Sequence, residues 1–376
     1  MKIVQKLLGS RFGIDEEVEA VTRVMRSGLV SGLTAGGEGD AFASEFAHYC
    51  GIPYALPLNG ACNALAIATH LVGIKPGDEV ISNPITYIAT AIYPLRHGAT
   101  IRFAETDPET LNVDESTIEP LITDKTKALF ISSYEGHVPD LDRIADIARR
   151  HNLIFVLDAA RCAGGKYKGQ SIAQVPHITA FSFQEQKNMT TCDGGMLALS
   201  AEAPVEWRKT AKQLQNVSGT GAIISENYRM DEMRAAIGRV QLPKLDPQND
   251  ERVALARRLT AGLRPYKGIH PVREFPERRH VFHWYMVRLD PDRLGISRDA
   301  FARAMEEQGV EMPVQNQPVY LSDAYAIRGY QPGLCPLSER LWREQILRFP
   351  FNLGMTNAEI DYMVDAVGHT LGRRGA

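Results

Sequence analysis

The chain has 376 residues, 44% of them hydrophobic and 23% charged, and a formal net charge of -3. That length exceeds one ordinary core and suits two domains sharing a cleft, while the balanced charge excludes a broad electrostatic footprint for nucleic acid or an anionic membrane. No apolar run approaches the roughly 20 residues of a membrane helix, and the cysteines at 50, 62, 162, 192 and 335 form no CxxC, so they read as reduced thiols rather than a disulfide frame or zinc site.

The opening MKIVQKLLGSRFG lacks the apolar stretch and small-residue cleavage site of a secretion signal, and a cytoplasmic protein is expected. From about residue 15 to 245 amphipathic helices alternate with short apolar strands. NALAIATHLV, 63–72, puts Ala64, Leu65, Ala68, Leu71 and Val72 on one helical face. A strand centred on Val80 and Ile81 follows, then TIRFAE (100–105) and KALFISS (127–133). LDRIADIARRH, 141–151, carries a stripe of Leu141, Ile144, Ala145 and Ala148, and the strands LIFVLD (153–158), TAFSF (179–183) and GMLALS (195–200) come after it. Near-continuous apolar strands separated by helices imply a mostly parallel sheet covered on both faces. Ligands of such sheets bind beyond the carboxyl ends of the strands.

A helix is expected over 229–240, and the polar QLPKLDPQND, 241–250, marks a boundary near 245. The division is therefore 1–245 as a large domain and 246–376 as a smaller one. The latter has helices at 251–263, 298–308 and 357–371 and a strand at 284–289. Seven arginines stand between 252 and 279; they are either a solvated face plus loop or a grip on a phosphorylated substrate.

Asp158 ends an apolar strand, so the sheet rule puts its carboxylate at the mouth of the site, where a helix cap is the ordinary alternative. Lys187 lies in FSFQEQKNMTTCDGG after the strand TAFSF. Taken singly, a loop lysine is a solvated charge. The ordered set is more specific. LDAARCAGGKYKG, AFSFQEQKNMTTCDGG, PGDEVISNPITYIATAIYPLRHGA, YEGHVPDLDRI and ENYRMDEMRAAIGRVQLPKLD resemble the DegT/DnrJ/EryC1/StrS family of pyridoxal-phosphate aminotransferases, over essentially the whole chain.

The resemblance implies an α/β fold of the type I, aspartate-aminotransferase-like class, with a mostly parallel central sheet and a smaller C-terminal α/β domain. It implies Lys187 as the covalent anchor of pyridoxal 5'-phosphate and Asp158 as partner of its ring nitrogen. Burial against the cofactor can lower a lysine pKa by up to about 3–5 units, enough to free the amine near neutral pH. Tyr87 would stack on the ring. Backbone amides at Ala61 and Cys62, opening a helix after Asn59-Gly60, would bind the phosphate with Ser182. Asn227 would reach the phosphate of a neighbouring subunit, which implies a homodimer with shared sites.

Three departures from the family pattern stand out. Arg161 replaces the usual Gln or His beside the cofactor's phenolic oxygen, Cys192-Asp193 replaces Gly-Glu, and Gln315 stands where many sugar-modifying members have a histidine. Cys62 lacks the hydroxyl of the usual threonine. His280 and His283 have helical spacing for a metal but no third ligand nearby, so no metal is expected. Members that dehydrate sugars replace the lysine by histidine, and its retention favours transamination. The implied reaction moves an amino group from glutamate or glutamine to a nucleotide-linked keto-sugar or a keto-cyclitol. The alternatives are another pyridoxal-phosphate reaction (elimination, decarboxylation or oxidation) and a cofactor-binding regulator without turnover.

Overall fold

The computed structural model describes residues 1–3, 15–217, 223–314 and 317–372. The opening stretch 4–14 and Gln315 lie outside them. The chain begins with α1 (Asp15–Ser27) and α2 (Glu38–Cys50), then β1 (Tyr54–Leu58), α3 (Ala61–Val72), β2 (Glu79–Ser82), α4 (Ala89–Arg96), β3 (Thr100–Phe103), β4 (Thr126–Ser132), α5 (Leu141–Arg150) and β5 (Ile154–Asp158). The short strands β6 (Lys166–Tyr167) and β7 (Gln170–Ser171) precede β8 (Ile178–Ser182) and β9 (Gly195–Leu199). Among the described residues seven strands form one sheet in the order β1-β9-β8-β5-β4-β2-β3. Strands β2, β3, β4, β5 and β8 run parallel, and β9 runs antiparallel to both β8 and β1. The sheet is mostly parallel, as the apolar runs predict.

Burial explains the pattern. In β5 four of five residues are buried and in β8 all five, so each strand is covered on both faces. Fully burying a Leu, Ile or Phe contributes roughly 1.5–3 kcal/mol. Helix α3 packs on β8 and β9 through Ala64, Leu65, Ala68 and Leu71, which aims its N-terminus at the carboxyl edge of the sheet. Helix α5 buries Leu141, Ile144, Ile147 and Ala148, with Asp140 capping Arg143 N–H.

Two boundaries differ from the periodicity. Helix α7 spans Glu232–Gln241 after α6 (Glu206–Leu214); the Asp231 side chain caps Arg234 N–H, so Asn227 and Arg229 lie ahead of it. Helix α8 runs Leu245–Leu263, earlier than expected, because Pro247 falls in its first turn where no N–H is required. Downstream, β10 (Ile269–Pro271), β12 (Tyr285–Leu289) and β13 (Ile346–Phe349) form a second sheet, and β11 (Arg278–Arg279) pairs with β6. A core of Leu255, Leu259, Leu263, Phe301, Met305, Leu347, Ile360 and Met363 binds this sheet to helices Arg298–Glu307 and Asn357–Thr370. No helix among the described residues is long and apolar enough to cross a membrane.

Candidate active site

One cavity of about 410 Å³ opens at the carboxyl edge of the sheet. Thr86 and Tyr87 come from beyond β2, Ser132 to Tyr134 from β4, Asp158, Ala160 and Arg161 from β5, and Ser182, Gln184, Gln186 and Lys187 from β8. Ala61 and Cys62 enter from the first turn of α3, and Asp193 and Gly194 from the start of the antiparallel β9. The sequence-predicted Ala61, Cys62, Tyr87, Asp158, Arg161, Ser182 and Lys187 therefore meet in one place. Asn227 does not line it. That residue is exposed, and its carbonyl accepts from the Asn59 side chain at 3.2 Å.

Asp158 is 5% exposed and well braced. Its Oδ2 accepts from Thr90 Oγ1 at 2.7 Å and its Oδ1 from Ala160 N–H at 3.0 Å. Thr90 continues the network through Thr86 and Ser132 to Asn83. Burial pushes the Asp158 carboxyl above its ordinary range, while the Thr90 and Ala160 hydrogen bonds and the Lys187 and Arg161 charges act the other way.

Lys187 sits in the connection between β8 and β9. Phe183 N–H donates to Gly194 carbonyl and Thr191 N–H to Phe183 carbonyl, both at 2.8 Å, which closes the loop at its neck. The adjacent Asn188 is buried and donates to Asn249 of α8 and the Val281 carbonyl. Burial pushes the Lys187 amine down to about 8; Arg161 lowers it further, and Glu135 and Asp158 oppose. A lysine of this kind reaches its neutral form near physiological pH.

At the head of α3, Gly60 is the N-cap and no side chain caps the helix, so the first N–H groups face the cavity. Gly195 fits tightly beneath them: a Cβ there would lie 2.4 Å from Ala61 N and 2.5 Å from the Gly60 carbonyl carbon. Ser182 Oγ accepts from Gln184 N–H at 3.4 Å. Tyr87 is 52% exposed at the mouth. The Cys62 thiol is raised by burial first and by Asp158, with a Tyr93 hydrogen bond opposing.

Sequence reasoning missed Glu135 and Arg348. Glu135 is 1% exposed at φ +51° and accepts from Arg161 Nη1; burial raises its carboxyl, and the Arg161, Arg348 and Lys187 charges resist. Arg348 lies 3.9 Å over the Trp284 ring. The only sequence signal is the pairing of an acid in YEGH with the unusual Arg161. His280 and His283 share no site. The His280 ring stacks on Phe282 at 3.8 Å, whereas His283 meets Trp284 edge-on and burial pushes it well below the ordinary histidine range. Six of the seven arginines in the basic stretch are committed to structure: Arg252 donates to the Phe282 carbonyl, Arg257 pairs with Glu274, Arg258 with Asp361, Arg273 with Glu109, Arg278 with Asp140 and Arg279 with Asp246.

A model of the DegT/DnrJ/EryC1/StrS aminotransferase family matches residues 13–368. The chain is 32% identical to GDP-perosamine synthase of Caulobacter vibrioides, covering 88% of this chain and 89% of that one. It is also 32% identical to dTDP-3-amino-3,4,6-trideoxy-alpha-D-glucose transaminase of Streptomyces venezuelae, covering 93% and 90%. Its structure superposes on that of DesV of S. venezuelae with a TM-score of 0.90 at 31% identity, covering 99% of both chains.

Proposed function

Because the chain belongs to the DegT/DnrJ/EryC1/StrS aminotransferase family, we infer that it transfers an amino group to a keto-sugar with pyridoxal 5'-phosphate as cofactor. The observation that carries this reading is that Lys187 and Asp158 open into one cavity. Two relatives are named for nucleotide-linked sugars, which favours a nucleotide-linked keto-sugar over a keto-cyclitol as acceptor. Glutamate or glutamine is the proposed donor.

The cavity's residues fit the cofactor. A lysine amine lowered to about 8, a buried acid opposite it and uncapped helix amides above a glycine that no Cβ could replace match an aldehyde, a ring nitrogen and a phosphate in turn. When bound, the cofactor supplies an electron sink for charge developing on the substrate carbon. Asp158, braced by Thr90 and Ala160, holds the ring-nitrogen proton. Lys187 anchors the cofactor and, once substrate displaces it, moves a proton at the substrate carbon through Nζ, a role typically worth about 10²–10⁴ in rate. Ala61 and Cys62 amides and the Ser182 hydroxyl take the phosphate. Tyr87 covers one ring face and Arg161 stands beside the ring. Asn227 serves a partner's site in a homodimer, and the large domain 1–245 carries the remaining cofactor contacts. A cytoplasmic location completes the reading.

Lys187→Ala tests it. Mixed with amino donor alone, wild type converts its cofactor to the pyridoxamine form, read by absorption. The variant shows no lysine-bound absorption and loses the conversion by at least about 10²-fold. A fully active variant would end the proposal.

A further inference from the structure

Behind one wall of the cavity two guanidinium groups share a buried carboxylate. Glu135 Oε1 accepts from Arg161, while its Oε2 is buried without a hydrogen-bond partner. Two guanidinium groups act on this one carboxylate: Arg161, which lines the cavity, and Arg348 of β13, whose buried Nε has no hydrogen-bond partner. His283 beside them is neutral, its Nδ1 buried and unpartnered, and feels the charges of Lys187, Arg161, Arg252 and Arg348. Glu311 also acts on Arg348, so Glu135 is shared between the two guanidiniums, and Arg161, the one that lines the cavity, has only part of it. A guanidinium at a cavity wall whose carboxylate is shared, and which spends only one hydrogen bond on it, draws an anion from the cavity side.

Arg161 is held where it can meet that anion. The Glu135 backbone stands at φ +51°, and a Cβ on the next residue, Gly136, would lie 2.9 Å from His283 N and 3.1 Å from the Arg161 carbonyl oxygen. The turn after β4, the loop after β5 and the segment before β12 are thus clamped together. One part of the guanidinium is spent on Glu135, and its other N–H groups remain for an oxyanion in the cavity. We propose that Arg161, positioned by Glu135, binds a carboxylate of the incoming amino donor. The inference rests on the aminotransferase reading of the cavity and deepens it: the contact belongs to the donor half-reaction, since the donor's α-carboxylate is attached to the reacting carbon, whereas the diphosphate of a nucleotide-linked keto-sugar hangs on the anomeric carbon, away from the carbonyl that reacts.

The test uses the full-length, cofactor-loaded protein and glutarate, a dicarboxylate with no amine to react, with binding read by calorimetry. Arg161→Gln raises the glutarate dissociation constant about tenfold or more, as loss of a charge-assisted bidentate contact requires. That variant leaves Glu135 buried without its partner, so the double variant Glu135→Gln/Arg161→Gln, which sets two neutral amides in the same space, guards against misfolding; it too loses glutarate about tenfold or more. Glu135→Gln alone raises the half-saturating concentration of L-glutamate while the maximal rate of the donor half-reaction holds within about twofold; the reverse split removes Glu135 from the positioning role. Wild-type glutarate binding in either Arg161 variant overturns the assignment, as does loaded wild-type protein that binds neither glutarate nor L-glutamate. A changed absorption of the lysine-bound cofactor with glutarate binding intact overturns it in favour of a contact to the cofactor ring. Failure of the underlying reading is distinct: wild type then shows no Lys187-dependent absorption at all.

Discussion

An amine attacks an aldehyde only when neutral, so the surroundings of Lys187 set when the protein can take up its cofactor. An ordinary lysine near 10.4 is about 0.04% neutral at pH 7, whereas one near 8 is roughly a tenth neutral. We expect the rate of covalent loading of cofactor-free protein to rise about tenfold per pH unit up to about 8 and then level. Stopped-flow absorption at several pH values checks this; a rise continuing to pH 10 would mean an unperturbed amine. The linked stability has a definite sign. Because the folded pKa is depressed, the unfolded chain holds more protons between about 8 and the ordinary lysine value, so cofactor-free protein gains stability as pH rises through that window. Below about 8 the cost of the buried charge is fully present, and Lys187→Met removes it, so the melting-temperature gap between the two narrows above that pH. At this scale the sequence spoke unevenly. Asp158 stands out because it ends a strand that periodicity finds, whereas Lys187, an ordinary loop lysine taken singly, stands out only through the ordered motifs of the family resemblance. Glu135 stays hidden, because a charged residue in a turn is ordinarily solvated and its burial depends on Arg161 and on Arg348, far along the chain.

Elements were legible where burial on both faces writes an unbroken apolar run, as in β4, β5 and β8. Strand β1 was not, because YALPL contains Pro57, which signals against a strand. It is tolerated because, among the described residues, β1 is the sheet edge, paired along its length with β9 and otherwise only by a single bridge from Leu58 to Arg229. Of the C-terminal strands, β12 was legible as the apolar run 284–289, whereas β10 and β13 are short and take their meaning from pairing with it, Ile269 with Leu289 and Phe349 with Tyr285, which no local pattern carries. The closest element contact bearing on function is the approach of β9 to the head of α3. Gly195→Ala drives a Cβ into Ala61 N and must push the helix start away, so we expect a loss of about 1–3 kcal/mol in stability and faster escape of the cofactor on dialysis. Gly60→Ala is the control: its φ of -179° is ordinary extended backbone and its Cβ would find nothing nearer than Asn63 Nδ2 at 3.9 Å. Thermal melting and retained cofactor absorption distinguish the two, and equal behaviour would remove the cradle from the phosphate argument.

On the scale of the whole molecule, one chain leaves Asn227 outside the cavity with apolar surface beside it. Leu29 and Leu33 are each 60% exposed, in a segment joined to α7 by the Glu232 N–H to Val30 carbonyl bond and packed at Gly32 against Met230. Ile224, three residues before Asn227, is 97% exposed. Exposed apolar side chains of this size suit the interface of the proposed homodimer, in which a second copy related by a twofold axis would carry Asn227 to the other chain's phosphate-binding amides. This arrangement predicts complementation. In a heterodimer of Lys187→Ala with Asn227→Ala, one site collects both defects and the other collects none. Random reassortment makes about half the dimers heterodimers, so unfolding and refolding the two variants together restores roughly a quarter of wild-type activity, well above the mean of the separately treated variants. If Asn227 served its own chain's cavity, every site in the mixture would keep one lesion and the activity would stay at that mean.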